Sequence, residues 1–435
     1  MLNSQLFLTF VFGLLLITNM EGWAPDQNDK KIARDQSEKR VVLNPYKRID
    51  WPSFGHHKAA LHIHTLQSDG YYIAKEVVEA YRAADYSIIA ITDHDWNRPN
   101  ARINWGQVSE EHASPYPLDP KPDNYPANVT WPWQDFGIQS PKELGVLGIE
   151  AAELTFRHHI NSYFSDYGVW YERTGSEAPY GGIVDEDGNE LWEDDFLNNA
   201  KEHGGVAILN HPGLSHDRGF WQRKPVEWYI ERYQNHSAEY LIGMEVTNTD
   251  NYADLVERER YDEALWDQLL GNFMPQRPIW GFGTDDMHNL ENVPDMHTVF
   301  IIAELTDKAV REAMVNGQFY FTKSTRRVNY LEDDMSVFPT INRIDVDHDA
   351  GTITINADDY DKIKWISTPE SSGTVEDYKT SDQPWAAGRM VHEGEKLNLN
   401  NTSNIGNYVR AELIRMEGDE IYRSFTNPFG IGSYD

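Results

Sequence analysis

The sequence contains no cysteine, and this absence limits the chemistry that the chain can perform. Disulfide bonds, thiolate metal ligands and lipid-bearing cysteines are all excluded. Any metal site must therefore be built from histidine and carboxylate side chains, and the chain offers 16 His and 70 Asp plus Glu for that purpose.

Positive charge is scarce, since Lys and Arg total 38 and the formal net charge is −32. Duplex nucleic acids and anionic membranes would both be repelled by such a protein, so binding to either by bulk electrostatics is disfavoured. We expect no binding to a nucleic-acid duplex.

Long hydrophobic runs are also scarce. Residues 6–17 (LFLTFVFGLLLI) form one run that is short for a membrane span and typical of the apolar region of a signal peptide. We expect residues 1–22 to be a signal peptide, with a buried N-terminal helix as the alternative, and residues 23–50 to be a polar linker. The mature chain is then exported, either to the periplasm or outside the cell, and has no membrane span.

The most informative stretch is 58–95, which predicts a parallel βαβ unit. Its first strand contains His62 and His64, which are two residues apart and therefore share one face. An amphipathic helix follows, and a second apolar strand runs directly into Asp93-His94. Imidazole and carboxylate ligands together suit zinc, manganese or iron, although a lone His-x-His pair is more commonly a surface or core feature.

Strands and helices alternate from residue 51 to about residue 325, which indicates a parallel α/β barrel. The last hundred residues contain short alternating runs separated by polar turns, which is typical of a small antiparallel β domain with a sandwich architecture. We therefore expect one domain over residues 51–332 and a C-terminal β domain over residues 333–435.

Histidine or carboxylate side chains follow the predicted barrel strands, where catalytic residues of such barrels lie. After the first two strands, this pattern recurs at GIE (148–150), HHIN (158–161), NHPG (210–213) and DDMH (285–288). Core packing alone does not account for the repetition, because buried His and Asp need partners.

The ordered motifs HIH, SDG, TDH, GIE, HHIN, NHPG and DDMH resemble the PHP family, the metal-dependent phosphoesterases named for polymerase and histidinol phosphatase domains. The resemblance covers residues 58–325 and implies a distorted (β/α)7 barrel that holds two or three divalent ions (Mn, Zn or Fe). The C-terminal β domain resembles an appendage of some exported relatives. The implied metal ligands are nine: His62, His64, Asp69, His94, Glu150, His159, His211, Asp286 and His288.

Three of these ligands have neighbours that could replace them. Glu153 is the alternative to Glu150, and His158 is the alternative to His159. The doubled aspartate offers Asp285 or Asp286, of which the family's Asp-x-His spacing favours the second.

The resemblance further implies an enzyme that hydrolyses phosphate mono- or diesters of a small molecule, such as a nucleotide or sugar phosphate, through a hydroxide that bridges the metal ions. His94 and Asp286 would serve catalysis as well as ligation, and Glu150 would be the bridging carboxylate. Asp93 and Asp95 would orient ligand imidazoles.

Three further side chains are candidates for binding the substrate phosphate: His216, Arg218 and Arg157. Each is equally compatible with an ordinary surface position. Two other functions remain open for the whole chain, namely a non-catalytic, metal-containing glycan-binding protein and a hydrolase of a non-phosphate bond on the same scaffold.

Overall fold

The structure is a computed structural model that describes most of the chain after residue 37. The described residues are 38–68, 70–94, 130–154, 158–166, 193–212, 224–248, 255–290, 293, 296–325, 337–373 and 385–433. The predicted signal peptide lies outside these ranges. No helix within them combines the length and the apolar character that a membrane crossing requires.

Six α-helices lie in the described part of the chain. They are α1 (Ala74–Ala83), α2 (Pro141–Leu144), α3 (Glu193–Glu202), α4 (Val226–Asn235), α5 (Leu255–Phe273) and α6 (Asp307–Asn316). Helix α1 lies where the apolar spacing after the Ser-Asp-Gly turn predicts a helix, and it buries Val77, Val78 and Tyr81.

The strands of the first three quarters of the chain are short. They are β1 (Lys39–Leu43), β2 (Gly55–Ala60), β3 (Ile88–Ile89), β4 (Leu147–Gly148), β5 (Ala151–Leu154), β6 (Ile160–Tyr163), β7 (Val206–Leu209), β8 (Leu241–Asn248), β9 (Trp280–Thr284), β10 (Thr298–Ile302) and β11 (Phe319–Ser324).

Within the described residues, the remaining strands follow without an α-helix between them. They are β12 (Thr340–Asp347), β13 (Thr352–Asp358), β14 (Lys362–Ser367), β15 (Arg389–Glu393), β16 (Lys396–Asn398), β17 (Tyr408–Glu417), β18 (Glu420–Thr426) and β19 (Phe429–Ser433).

These strands form three sheets. The largest has the order β1-β19-β17-β18-β11-β10-β2-β3-β4, with β14 attached to β17 and β15 attached to β14. A second sheet has the order β5-β6-β7-β8-β9, and a third has the order β12-β13-β16. The first two sheets are mixed, since β2, β3 and β4 are parallel and β7, β8 and β9 are parallel, whereas β5, β6 and β7 alternate in direction.

The predicted (β/α)7 barrel is wrong, because the described strands form these mixed sheets and no closed barrel. Parallel neighbours need a crossover of a dozen or more residues. Strands β5 and β6 are joined by residues 155–159 alone, so they pair as an antiparallel hairpin. The short apolar runs of the sequence indicate strands, but they carry no information about strand direction.

The C-terminal strands are antiparallel and continue the large sheet. Strand β18 pairs with β11 from Tyr320↔Thr426 to Ser324↔Tyr422, so the expected appendage shares a sheet with the expected barrel region. Strand β1, within the expected linker, pairs with β19 in the same sheet. The domain boundary at residues 332 and 333 stays a prediction.

The large sheet and the five-stranded sheet share a core beneath the site. Leu61, Tyr163, Ile208 and Phe282 belong to one buried apolar cluster that draws on both sheets. Two isolated parallel β-bridges join the two sheets next to this core. One pairs Ile63 with Met287, and the other pairs His94 with Glu153. Histidine and carboxylate side chains from both sheets therefore meet at this junction.

Candidate metal centre

His62 and His64 lie just beyond the end of β2, where the chain pairs with the segment that follows β9. The His64 amide donates to the Met287 carbonyl at 2.8 Å, and the Met287 amide donates to the His62 carbonyl at 3.2 Å. Ile63 is fully buried between them. In an extended segment alternate side chains share a side, so both imidazoles project together into the junction of the two sheets.

Four ligand atoms converge at this junction. His62 Nε2 lies 3.1 Å from His64 Nε2, 3.3 Å from Glu153 Oε2 and 3.1 Å from Asp286 Oδ1. His64 Nε2 lies 3.2 Å from each of the same two carboxylate oxygens. All four side chains are at most 5% exposed.

Hydrogen bonding does not account for this arrangement. An imidazole nitrogen carries at most one hydrogen, yet three polar atoms lie within 3.3 Å of His62 Nε2. Zinc bonds of about 2.0–2.1 Å separate neighbouring ligand atoms of a tetrahedral site by about 3.3 Å. The separations between the histidine nitrogens and the carboxylate oxygens match that spacing, and the trio of His62, His64 and Glu153 could hold one divalent ion.

Glu153 connects this group to a second set of histidines. Its Oε2 atom lies 3.0 Å from His94 Nδ1. Its Oε1 atom lies 2.8 Å from His159 Nδ1 and 3.3 Å from His211 Nε2. One carboxylate thus faces imidazoles on both of its oxygens, which is the arrangement of a bridging ligand.

His288 completes the cluster on the side of His64, where the two rings stack with centroids 4.3 Å apart. Among the described residues, four groups of side chains could each hold an ion, and they share members: His64, His94 and His288; His62, His64 and Glu153; His62, His211 and Asp286; His94, Glu153 and His159. The clustered His, Glu and Asp side chains therefore support divalent metal binding.

The electrostatics of the cluster favour a positive charge within it. Burial opposes ionisation of Glu153, but His159, His62 and His94 outweigh it and hold the pKa of the carboxyl well below its usual range. Burial lowers the pKa of His159 to about 3, which keeps that imidazole neutral. Burial also opposes protonation of His62, but three neighbouring carboxylates raise its pKa well above its usual value. The cluster thus contains ionised carboxylates that favour a positive charge among them.

Two of the converging residues have unusual backbone conformations. His211 has a φ of 23° and Asp286 has a φ of 48°, values that residues other than glycine rarely adopt. Such conformations persist where the surrounding structure fixes them, and they concentrate at functional sites.

The structure distinguishes the alternatives that the sequence leaves open. It brings Glu153, His159 and Asp286 into the cluster. Glu150 is only partly buried and belongs to none of the four groups.

The two remaining alternatives face elsewhere. The His158 ring stacks on Trp228 with centroids 5.1 Å apart. Asp285 accepts a hydrogen bond from the Tyr81 hydroxyl at 2.8 Å and another from the Met296 amide at 2.9 Å.

Asp93, expected to orient ligand imidazoles, organises the loop that contacts His64. It accepts hydrogen bonds from the Thr65 amide at 2.7 Å, from the Ser68 hydroxyl at 2.6 Å and from the Thr130 hydroxyl. The Ser68 hydroxyl lies 3.2 Å from His64 Nδ1, so Asp93 acts on that imidazole through one intermediary.

Five of the side chains named from the sequence lie outside the described residues. They are Asp69, Asp95, Arg157, His216 and Arg218.

Sequence reasoning missed Glu245, which lies in the centre of β8 and is fully buried. Its Oε1 atom lies 2.6 Å from His62 Nδ1. A signal was present, because Glu245 is the one charged residue in the apolar run 241–246, and a buried charge needs partners.

No family model matches the chain, and no curated protein matches it. Similar solved structures include a two-domain protein from Bacteroides vulgatus containing a predicted PHP-like metal-dependent phosphoesterase, at 17% identity over 86% of this chain and 93% of that chain, with a TM-score of 0.41. A candidate metal-dependent phosphoesterase from Bifidobacterium adolescentis is 15% identical over 60% of this chain and 96% of that chain, with a TM-score of 0.32.

A lesion-specific endonuclease from Pyrococcus furiosus is 12% identical over 60% of this chain and 56% of that chain, with a TM-score of 0.30. The protein from Bacteroides vulgatus is the one of these three neighbours that is described as PHP-like, the family that the sequence motifs resemble.

Proposed function

We propose that this chain is a PHP-type metal-dependent phosphoesterase that hydrolyses a phosphate mono- or diester of a small molecule, such as a nucleotide or sugar phosphate. The observation that carries the proposal is the convergence of His62, His64, Glu153 and Asp286 in a buried cluster, where each of the two histidine nitrogens lies 3.1–3.3 Å from the other three ligand atoms. Nitrogen and oxygen donors of this kind suit Mn, Zn or Fe.

Two or three divalent ions, when bound, supply Lewis acidity and a water activated for attack on phosphorus. The protein's part is to place its donors. Glu153 faces His62 and His64 with one oxygen and His159 and His211 with the other, so it can hold two ions side by side.

Asp286 has a similar double role, because its Oδ1 atom faces His62 while Oδ2 lies 3.9 Å from His211 Nε2. We propose that His94 and Asp286 serve catalysis as well as ligation. Asp69 remains the ninth proposed ligand. It directly follows Ser68, whose hydroxyl contacts His64 Nδ1.

The proposed substrate is anionic, whereas the chain carries a formal net charge of −32. Cations at the centre would reverse the local potential and attract the phosphate. His216, Arg218 and Arg157 are the proposed phosphate contacts from the chain itself. We further propose that the protein is exported, on the basis of residues 6–17.

The test is elemental analysis of protein purified without chelators, together with a panel of phosphomonoesters and phosphodiesters. Two or three ions per chain and turnover of a phosphate ester are the expected results. Bound ions without phosphate turnover would contradict the phosphoesterase and favour a binding protein or a hydrolase of another bond. One ion or none, without turnover, would contradict the ligand set itself.

A further inference from the structure

Glu245 makes four polar contacts, and each reaches a different part of the metal centre. Its Oε1 atom lies 2.6 Å from His62 Nδ1 and accepts a hydrogen bond from the Thr284 hydroxyl at 2.8 Å. Its Oε2 atom accepts from the His211 amide at 2.8 Å and from Asn248 Nδ2 at 2.8 Å. The side chain is completely buried.

The first contact determines how His62 presents its ring. An ionised carboxylate only accepts hydrogen bonds, so His62 Nδ1 must carry the hydrogen that it shares with Glu245. In the neutral ring, the lone pair then belongs to Nε2, the atom that faces His64, Glu153 and Asp286. A carboxylate that binds the far nitrogen of a ligating imidazole fixes both its tautomer and its orientation.

The second pair of contacts supports the two strained positions. Glu245 binds the backbone amide of His211, whose φ is 23°. Asn248 uses the same Nδ2 group to reach Glu245 and, at 3.3 Å, Asp286 Oδ2, and Asp286 has a φ of 48°. One carboxylate therefore holds His62 and His211 directly and Asp286 through Asn248.

We infer that Glu245 is the positioning residue of the metal centre, which sets the tautomer of His62 and the backbone of His211 without itself being a ligand. This inference rests on the proposed function, because it requires that the cluster hold metal ions. It assigns to β8 a role that none of the sequence motifs contains.

The substitution Glu245→Gln tests the inference with little change in shape. Glutamine has one acceptor and one donor group, whereas the four partners of Glu245 all donate. Whichever way the amide is turned, its NH2 group faces either the His62 and Thr284 donors or the His211 and Asn248 donors. The tautomer of His62 or the backbone of His211 must then change.

The experiment measures Zn²⁺ affinity of the full chain by competition with a chromophoric chelator, and records the visible spectrum of the Co²⁺ form. For Glu245→Gln we expect affinity about 10–100-fold weaker than that of the unsubstituted protein, together with a changed Co²⁺ spectrum. Thr284→Val, which removes one hydrogen bond to Glu245, should shift both measurements in the same direction by less.

Asp267→Asn is the matched control, since Asp267 is a buried carboxylate of α5 that binds Arg410 and has no contact with the cluster. It should lower stability but leave Zn²⁺ affinity and the Co²⁺ spectrum unchanged. Circular dichroism establishes that each variant is folded. If Glu245→Gln does not fold, Thr284→Val alone decides, and unchanged affinity and spectrum in that variant overturn the inference.

Failure of the inference differs from failure of the proposed function. If the unsubstituted chain binds no metal, both are wrong. If it binds metal and Glu245→Gln matches it in affinity and spectrum, only the positioning role of Glu245 is wrong.

Discussion

Asp267 of α5 and Arg410 of β17 form a buried salt bridge with two contacts, at 2.8 Å from Nε to Oδ1 and at 2.9 Å from Nη2 to Oδ2. The Tyr408 hydroxyl and the Gly388 amide also donate to Asp267, each at 2.8 Å. The helix that covers the five-stranded sheet is thereby fixed to the C-terminal strands.

We expect Asp267→Asn to lower the free energy of unfolding by about 3–5 kcal/mol, because it leaves the Arg410 guanidinium buried without a countercharge. Urea denaturation measures this loss. The control is Arg343→Ala, which breaks a pair with Asp345 whose side chains are 55% and 53% exposed. That change should cost far less, because solvent screens a pair of exposed charges. Equal losses in the two variants would contradict a structural role for the buried pair.

Glu153 and Glu150 provide a second comparison, since they are three residues apart and only Glu153 reaches the cluster. Glu153→Gln should lower the metal content and reduce kcat, because a bridging carboxylate becomes a neutral amide. Metal ions contribute several kcal/mol to catalysis. Since each 1.36 kcal/mol corresponds to a tenfold change in rate, we expect a loss of about a hundredfold or more.

Glu150→Gln is the matched control and should leave both metal content and kcat close to those of the unsubstituted chain. The two variants are measured by elemental analysis and by turnover of the best ester in the substrate panel. A larger effect at Glu150 than at Glu153 would mean that the carboxylate predicted from the GIE motif is the ligand after all.

The sequence predicts which types of residue meet in the metal cluster. A histidine or carboxylate directly after an apolar strand is a local pattern, so it can be recognised without the fold. His62, His64, His94, His211 and His288 all lie in the cluster on that basis. The choice between Glu150 and Glu153 depends on where β5 begins, and an apolar run does not define that position. The sequence also leaves strand direction undefined. Alternating strands and helices therefore predict a parallel barrel, whereas β5 and β6 form an antiparallel hairpin.

Glu245 illustrates a different limit of the sequence. Its partners His62 and Thr284 are distant in the chain, and the first lies 183 residues away. No spacing rule connects residues so far apart. The charge within an apolar strand signals that a partner exists, but only the packing of the two sheets identifies it.

Removal of metal should destabilise the folded chain, because the cluster exists only when both sheets are in place. A ligand that binds the native state alone stabilises it by about 2.7 kcal/mol at a concentration of 100 times its Kd. We therefore expect a chelator to lower Tm and added metal to restore it, as measured by differential scanning calorimetry. In Glu153→Gln the chelator should have much less effect. Identical melting curves with and without chelator would contradict a metal centre in this cluster.

His297 predicts how stability depends on pH away from the metal centre. It is 4% exposed, its Nδ1 atom lies 3.0 Å from the Thr322 hydroxyl, and the Tyr86 ring contacts its edge. Burial, followed by the charge of Lys58, holds the pKa of His297 well below its usual value of 6.5. The folded chain thus keeps this imidazole neutral at a pH where the unfolded chain protonates it.

Because the unfolded state binds the additional proton, this residue favours unfolding as the pH falls below about 6.5 and has no such effect above it. The loss approaches about 1.4 kcal/mol per pH unit until the folded pKa is reached. We expect His297→Gln to remove this part of the pH dependence, as measured by urea denaturation between pH 4.5 and pH 7.5 with a chelator present. The difference between the two proteins isolates His297 from all other titrating groups, because those groups are common to both. If the difference is constant over this range, the pKa of His297 is the same in the folded and the unfolded chain, and burial and Lys58 do not lower it.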